Sequence, residues 1–429
     1  MQPEDGGTLS VACCCFMPSG QTRALPESHP LIQPDWQVTK SQRQRVHQEP
    51  SIVSLFASFL RLGATAFGGP SMVAYIRKMA VEQKHWLDEE TFRDGVALCQ
   101  MIPGATAMQV SAYVGLRTRG VTGAAASFIA FGLPAFLLMM TLSALYVQAH
   151  TLPAVVSAFS GLQAIVVAIV ANATVSFGRT YLKQWKSIVI TAAAAVMFGL
   201  GVNPIVVIPL AALLGLVLGH EQLSTRPAME TTQNPRPRMM MLWPFAVVAA
   251  GFLLLFLTER TLFDLAALMF RIDLFAFGGG YASVPLMFHE IVEVRAWLDG
   301  PTFLNGIVLG QVTPGPIVIT ATFIGYLLYG TLGGLVATLS VFSPSFLMLV
   351  GLVPYFDRLR AAPSFNKAMA GVLCSFVGLL LTVTIRFAGD IRWDIPHALL
   401  ACAAFVALLR KVDILWVVVI GTVISVLVL

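Results

Sequence analysis

Four polar side chains stand at repeated distances from glycine and proline breaks in otherwise apolar sequence. Arg61 and Arg271 each lie six residues before a Phe-Gly-Gly run, at Phe67-Gly68-Gly69 and Phe277-Gly278-Gly279. Gln100 and Gln311 each lie three residues before a Pro-Gly pair, at Pro103-Gly104 and Pro314-Gly315. An ionisable group inside an apolar helix is costly and is by default a functional candidate. Arginine suits a tetrahedral oxyanion because its rigid fork gives two parallel hydrogen bonds. Glutamine adds donors without adding charge. Pro70 follows the first glycine pair; proline is tolerated in a first helical turn, so Pro70 can open a half-helix whose positive end aims at an anion. Gly280 takes its place in the second copy.

Each of these residues also has a purely structural reading. The glycines allow close helix packing, the glutamines can cap broken backbone, and Arg271 can pair with Asp273 or Asp264. The first half has no such close acid. Trp86 and Trp297 precede an acidic turn and read as headgroup anchors, while Gly115, Gly120 and Gly123 read as packing residues. His289 and Glu290 lack titratable counterparts in the first half and are further candidates, for proton coupling.

The elements that must hold these residues follow from composition. Of 429 residues 57% are apolar and only 11% charged, against about 25% charged in a soluble domain. That is too few charges to coat a soluble protein, so the solvent is lipid. Runs such as Val155 to Val175, Ile188 to Leu218 and Leu399 to Leu429 are nearly uncharged and long enough to cross a core about 30 Å thick as helix. No alternation of the β-barrel kind appears. The fold class expected is an all-α polytopic membrane protein.

Shifted by 210 residues, the chain matches itself. Arg61 meets Arg271 and Ala66-Phe67-Gly68-Gly69 meets Ala276-Phe277-Gly278-Gly279. With one residue inserted, Trp86-Leu87-Asp88 meets Trp297-Leu298-Asp299 and the two Gln-x-x-Pro-Gly motifs meet; the offset then returns to 210 for Gly115, Gly120, Gly123 and Pro134. Each half carries two broken segments and four simpler spans. The apolar run Leu242 to Leu257 has no counterpart, and one extra span turns the second half over. The basic residues agree with that inversion. With the broken segments entering from the cytoplasm, the first half places nine Lys or Arg inside and none in its outer loops, and the second places five inside against three outside. Two inverted repeats with helices broken at matching positions are the pattern of a secondary transporter, with its substrate near the midplane.

The organisation read from these features is a disordered tail at 1–50, a first membrane repeat at 51–220, a linker with an extra transmembrane helix at 221–260, and a second, inverted repeat at 261–429. The tail is polar and carries no secretory signal. The net charge of +5 is spread over short loops, so nucleic acid is not a partner. Six cysteines, in a Cys13-Cys14-Cys15 cluster and singly at Cys99, Cys374 and Cys402, give no zinc or disulfide framework. No metal, cofactor or nucleotide motif is present, which argues against direct ATP drive. A membrane-embedded enzyme is the rival class; it would call for acid clusters or an Asp/His pair at the repeated positions, where glycine, glutamine and arginine stand.

At Phe67 to Pro70, the Trp-Leu pairs, both Gln-x-x-Pro-Gly motifs and the stretches ending at Leu133-Pro134 and Ser343-Pro344, the chain resembles the chromate ion transporter family in its long two-domain form. The resemblance spans about residues 51 to 429. Ala105 departs from it, standing where the second copy has Pro316 and where a Pro-Gly-Pro triplet is typical. The resemblance implies halves of opposite orientation in the inner (plasma) membrane and efflux of chromate that confers resistance. A sulfate-like dianion is the alternative substrate. The partners expected are the dianion and the lipid bilayer, with a homodimer allowed.

Overall fold

The computed structural model describes residues 50–67, 69–218, 242–355 and 362–428. The expected tail, apart from Pro50, lies outside the described residues, as do the polar segment Glu221 to Arg238 and Gly68. The described residues form helices and connections, with no strand among them. In chain order the helices are α1 (Ile52–Thr65), α2 (Gly69–Arg77), α3 (Glu89–Met101), α4 (Thr106–Ala149), α5 (Pro153–Tyr181), α6 (Trp185–Gly199), α7 (Pro204–Leu218) and α8 (Trp243–Thr258). They continue as α9 (Arg260–Leu274), α10 (Gly280–Phe288), α11 (Gly300–Val312), α12 (Thr320–Leu352), α13 (Pro363–Gly389), α14 (Ile395–Leu409) and α15 (Ile414–Val428).

α1–α7 and α9–α15 are the two copies, and α8 is the unpaired helix that inverts the second. The copies agree in detail. α2 and α10 each run on into a single π-helical turn, Lys78–Gln83 and His289–Val294. Left-handed residues recur at matched places: His85 and Ala296, Gly104 and Gly315, Gly120 and Gly330, Gly201 and Lys411. The extra residue of the second copy falls in its glycine break, since α2 begins at Gly69 and α10 at Gly280. It is removed after the Pro-Gly break, where Ile317–Ile319 forms a 3-10 turn. A 3-10 turn rises about 2.0 Å per residue against about 1.5 Å in an α-helix, so the second copy covers the same path with one residue fewer.

The chain folds back on itself after each Pro-Gly segment. The helical run Thr106–Ala149 contains non-helical Arg119 and Gly120, and there it turns back on itself. Ser127 Oγ reaches the Ser111 carbonyl at 2.8 Å, although sixteen residues of straight helix would separate them by about 24 Å. Gly115 and Gly123 meet so closely that a Cβ on either would lie within 2.4 Å of the other's carbonyl oxygen. α12 repeats this at Tyr329–Gly330, with Gly325 against Gly333 and the Thr322 and Thr338 hydroxyls 2.6 Å apart. Gly115, Gly123, Gly325 and Gly333 serve packing as expected, because only a missing Cβ lets the two arms touch; Gly120 and Gly330 instead make the turn, at φ of 70° and 63°.

Contacts between equivalent helices fix the inversion. On the long arms of α4 and α12, Phe128 lies against Phe342 and Met140 against Gly334; as one number rises the other falls, so these arms run antiparallel. On α5 and α13, Thr174 meets Thr384 at 3.3 Å and Gly178 approaches Val377, again antiparallel. Thr174 and Thr384 are equivalents, so the two-fold relating the repeats passes between them, perpendicular to the helices. α5 packs on α14 and α15 of the other repeat, and α13 packs on α6 and α7. The repeats are interlocked around one core.

Four helical stretches, Thr106–Ala149, Pro153–Tyr181, Ile317–Tyr355 and Pro363–Gly389, are long and apolar enough to cross a membrane. The helices at two further expected spans, α6 and α7, have 15 residues each and rise about 22 Å; helices of that length call for a locally thinned bilayer.

Candidate functional site

The four breaks meet as two interlocked pairs. The Gly104 N–H donates to the Ala276 carbonyl at 2.9 Å, and the Gly315 N–H donates to the Ala66 carbonyl at 3.1 Å. Each Pro-Gly break thus docks on the glycine break of the other repeat. Backbone groups freed by breaking a helix in lipid cost several kcal/mol if left unpaired, and this exchange satisfies some of them. Gly104 and Gly315 hold φ of 110° and 119°, and Gly278 and Gly279 hold 101° and 88°, values that demand glycine. The pairs adjoin one another. A Cβ on Gly279 would lie 3.2 Å from Thr106 at the start of α4, and one on Gly280 would lie 3.3 Å from Ile317 and Val318.

The two pairs differ in their polar groups. At Gly104–Ala276, Asp273 is fully buried at the end of α9. It accepts the Ser345 N–H at 3.0 Å and the Ser345 hydroxyl at 2.6 Å, and Ser345 Oγ accepts the Ala105 N–H at 3.0 Å. Buried Gln109 donates to the Pro103 carbonyl. A Cβ on Gly104 would fall 1.9 Å from Ser345 Oγ. The atoms left over here, Asp273 Oδ1 and Gln109 Oε1, are acceptors without partners. Near Gly315–Ala66 the atoms left over can donate. Gln311 Nε2 is buried without a partner, as is Ser283 Oγ. All four atoms lie close in sequence to a break.

A model of one protein family matches this chain twice, over residues 53–216 and 263–426, and its description is "Chromate transporter". The chain belongs to the chromate transporter family. Relatives of this transporter family cover nearly the whole chain. An uncharacterised transporter of Methanocaldococcus jannaschii is 40% identical over 93% of this chain and 100% of its own length. The chromate transport protein of Cupriavidus metallidurans is 30% identical over 85% of this chain and 90% of its own length, and that of Pseudomonas aeruginosa 29% over 86% and 89%. No solved structure matches the chain.

Within this transporter fold the residues singled out from sequence have different settings. Pro103, Gly104, Pro314 and Gly315 are buried and lie in or beside the docked breaks, as do Phe67, Phe277, Gly278 and Gly279. Gly69 starts α2, which puts Pro70 in its first turn. Gln311 is partly buried and Gln100 exposed. Arg61 lies on the exposed side of α1, away from its buried face of Leu55, Phe59 and Gly63. Arg271 pairs with Glu290 at 2.5 Å. It does not pair with Asp273, because residues two apart on a helix do not face each other. His289 and Glu290 are both engaged, His289 with Glu293 at 2.7 Å and Glu290 also with Arg295 at 3.7 Å; Glu293 holds Arg386 as well.

Sequence reasoning did not single out Gln109, Ser283 or Ser345. One signal was available: Ala105 in place of proline leaves an N–H at the first break, and that N–H is the one Ser345 receives.

Proposed function

We propose that this chain is a secondary transporter that exports chromate from the cytoplasm across the inner (plasma) membrane and so confers chromate resistance. The observation that carries the reading is the interlocking of four helix breaks around unpartnered buried polar atoms. Such breaks persist in lipid where a substrate, water or protein satisfies them. The oxyanion is received beside the Gly315–Ala66 pair. There the start of α2 at Gly69 and Pro70, the free Nε2 of Gln311 and the cation Arg61 supply donors and charge, and Asp273 belongs to the other pair. Phe67, Phe277, Gly278 and Gly279 shape the breaks, with Pro103, Gly104 and Pro314 setting their backbone. Gln100 and Arg271 hold the equivalent places in the other copy.

Energy favours export. A dianion leaving a cell held at about −100 mV gains roughly 2 × 2.3 kcal/mol, so efflux needs no ion coupling. The relatives named for chromate transport favour chromate, and sulfate, with like charge and shape, is the second substrate to try. The test is counterflow of labelled chromate and sulfate in proteoliposomes with an imposed potential. Saturable chromate flux that accelerates with an inside-negative potential during efflux is expected. Chromate flux no faster than in empty vesicles would end the reading, and sulfate flux alone would transfer it to sulfate.

A further inference from the structure

Away from the breaks, the end of α4, the first turns of α5 and the start of α11 line a half-open cavity of about 270 Å³, bordered by Tyr146, His150, Val156, Ser160, Gln163 and Asn305, among others. Its polar groups are ordered by one another. Asn305 Nδ2 donates to the Tyr146 hydroxyl at 3.0 Å, and Gln163 Nε2 donates to Asn305 Oδ1 at 2.8 Å and to the Pro301 carbonyl at 3.3 Å. Behind Ser160 stands His397, its Nε2 2.8 Å from Ser160 Oγ and its Nδ1 2.6 Å from Asp394 Oδ1. Asp394 also caps α14 through the His397 N–H at 2.9 Å.

These bonds fix the protons. Nδ1 of His397 faces a carboxylate and carries hydrogen, so in the neutral ring Nε2 is an acceptor and Ser160 must donate to it. Ser160 then offers the cavity only lone pairs. When His397 gains a proton, Nε2–H donates to Ser160, whose own hydrogen is freed to turn into the cavity. His150 works in the same direction. Its Nδ1 faces the carbonyls of Tyr146 and Val147 at 3.2 and 3.0 Å, so a proton enters at Nε2. The Tyr146 oxygen already accepts from Asn305, which leaves its hydrogen available, and Asn305 keeps a second N–H. The groups facing His397 are few. Asp394 lies on its own helix cap and Ser160 on α5, while residues 153–178, 300–312 and 414–428 of the helices packed around this end carry no ionisable side chain. Asp390 and Arg392 stand in the preceding connection.

We propose that this cavity is a second binding site for a small oxyanion, closed to anions while His397 is neutral and opened when it is protonated. The class of ligand rests on the transport reading above; the proton relay rests on the cavity alone. A catalytic role for Asp394, His397 and Ser160 fits less well, because Gln163 and one N–H of Asn305 are already committed and no ready oxyanion hole faces Ser160.

The test places a single cysteine at Val156 in the full chain, with all six native cysteines replaced by serine, in nanodiscs that expose both faces. The rate of maleimide labelling is measured against sodium sulfate, with sodium chloride at equal ionic strength as control. In a His150→Gln background, which leaves His397 as the cavity's one histidine, the single charge-assisted bond that Ser160 gains on protonation predicts half-protection at a sulfate concentration about tenfold lower near pH 6 than near pH 8. Ser160→Ala should erase that difference while leaving folding intact, since it removes one hydroxyl from a part-buried site. Sulfate that fails to slow labelling near pH 6 overturns the site, and a pH difference that survives Ser160→Ala overturns the relay. Chromate flux of the same protein in vesicles separates the two readings: lost protection with retained flux sinks the cavity alone, and retained protection without flux sinks the transport reading alone.

Discussion

The Ser345 hydroxyl donates to Asp273 at 2.6 Å, and at the corresponding positions of the first repeat stand Ala135 and Gly63. A polar lock therefore closes one interlocked pair of breaks and is absent from the other. The neighbouring residues differ in step. Ala105 keeps the N–H that Ser345 receives at 3.0 Å. Its counterpart Pro316 has no N–H, and the position facing it, Ala135, has no hydroxyl to accept one. The duplicated scaffold has become chemically one-sided, with a carboxyl at Gly104–Ala276 and, among the described residues, none at Gly315–Ala66.

Ala105→Pro tests this lock. The backbone allows it, since Gly104 and Gly315 share nearly the same φ and Pro316 already follows the latter. Losing one buried hydrogen bond should cost about 1 kcal/mol. Ser345→Ala, which strips a donor from buried Asp273, should cost about 1–3 kcal/mol. In the double variant the costs should be less than additive, because Ser345 is the partner of both. Thermal unfolding of the four proteins in detergent measures the cycle, and strict additivity would show that Ala105 and Ser345 do not act together.

The antiparallel contacts of Thr174 with Thr384 and of Phe128 with Phe342 require the loops after α5 and after α13 to open on opposite faces. Single cysteines at Lys183 and at Arg392, in a cysteine-free background, should label from opposite sides of intact cells with a membrane-impermeant maleimide. Labelling of both from one side would contradict the inverted repeat.

Much of this arrangement was legible in sequence because apolar length and repeated glycines are local signals. The run around Gly115, Gly120 and Gly123 marked where arms can touch, and the unpaired run from Leu242 marked the inversion. Other features depend on partners far along the chain. Nothing near Asp273 signals Ser345, seventy-two residues away, and no local pattern says that α6 and α7 pack on α13 of the other repeat. The pairing of Arg271 was readable in part, since helical spacing excludes Asp273, but the fold-back that brings Glu290 to Arg271 is a tertiary event.

Acid should loosen the helix ends that lie outside the spanning segments. The hydrogen bond from Arg77 holds the Glu89 carboxyl below its ordinary range, and the His397 backbone N–H, followed by its ring, does the same for Asp394. A carboxyl depressed in the folded state contributes stability that is present above its unfolded value, and that is lost as pH falls through the folded one. With unfolded values of about 4.3 for Glu and 3.9 for Asp, the apparent midpoint should hold steady above about pH 5 and drop below about pH 4. Glu89→Gln should lower the midpoint at neutral pH and converge on the wild-type curve in acid. A gap between the two curves that widens on acidification would have the wrong sign for this ion pair.

Arg61 should be the cation that the substrate needs, and lysine should not replace it. A dianion near the midplane requires compensation, since an unpaired charge there costs at least about 2.5–3.5 kcal/mol. The half-helix end at Gly69 and Pro70 supplies only about half a unit charge. Arg271 is already committed to Glu290 at 2.5 Å, whereas Arg61 is exposed and makes no ion pair among the described residues. Lysine keeps the charge but loses the bidentate fork. Arg61→Lys should therefore lower initial-rate chromate flux by about tenfold, equivalent to one charge-assisted bond, and Arg61→Gln should nearly abolish it at unchanged expression. Arg271→Gln should be milder for flux; its main effect should be lower stability, because it strands Glu290, which is buried with only Arg295 left at 3.7 Å. The comparison is made in vesicles holding matched amounts of each variant. Wild-type flux and apparent affinity in Arg61→Gln would remove this residue from the site and leave the break backbone and Gln311 as the anion's ligands.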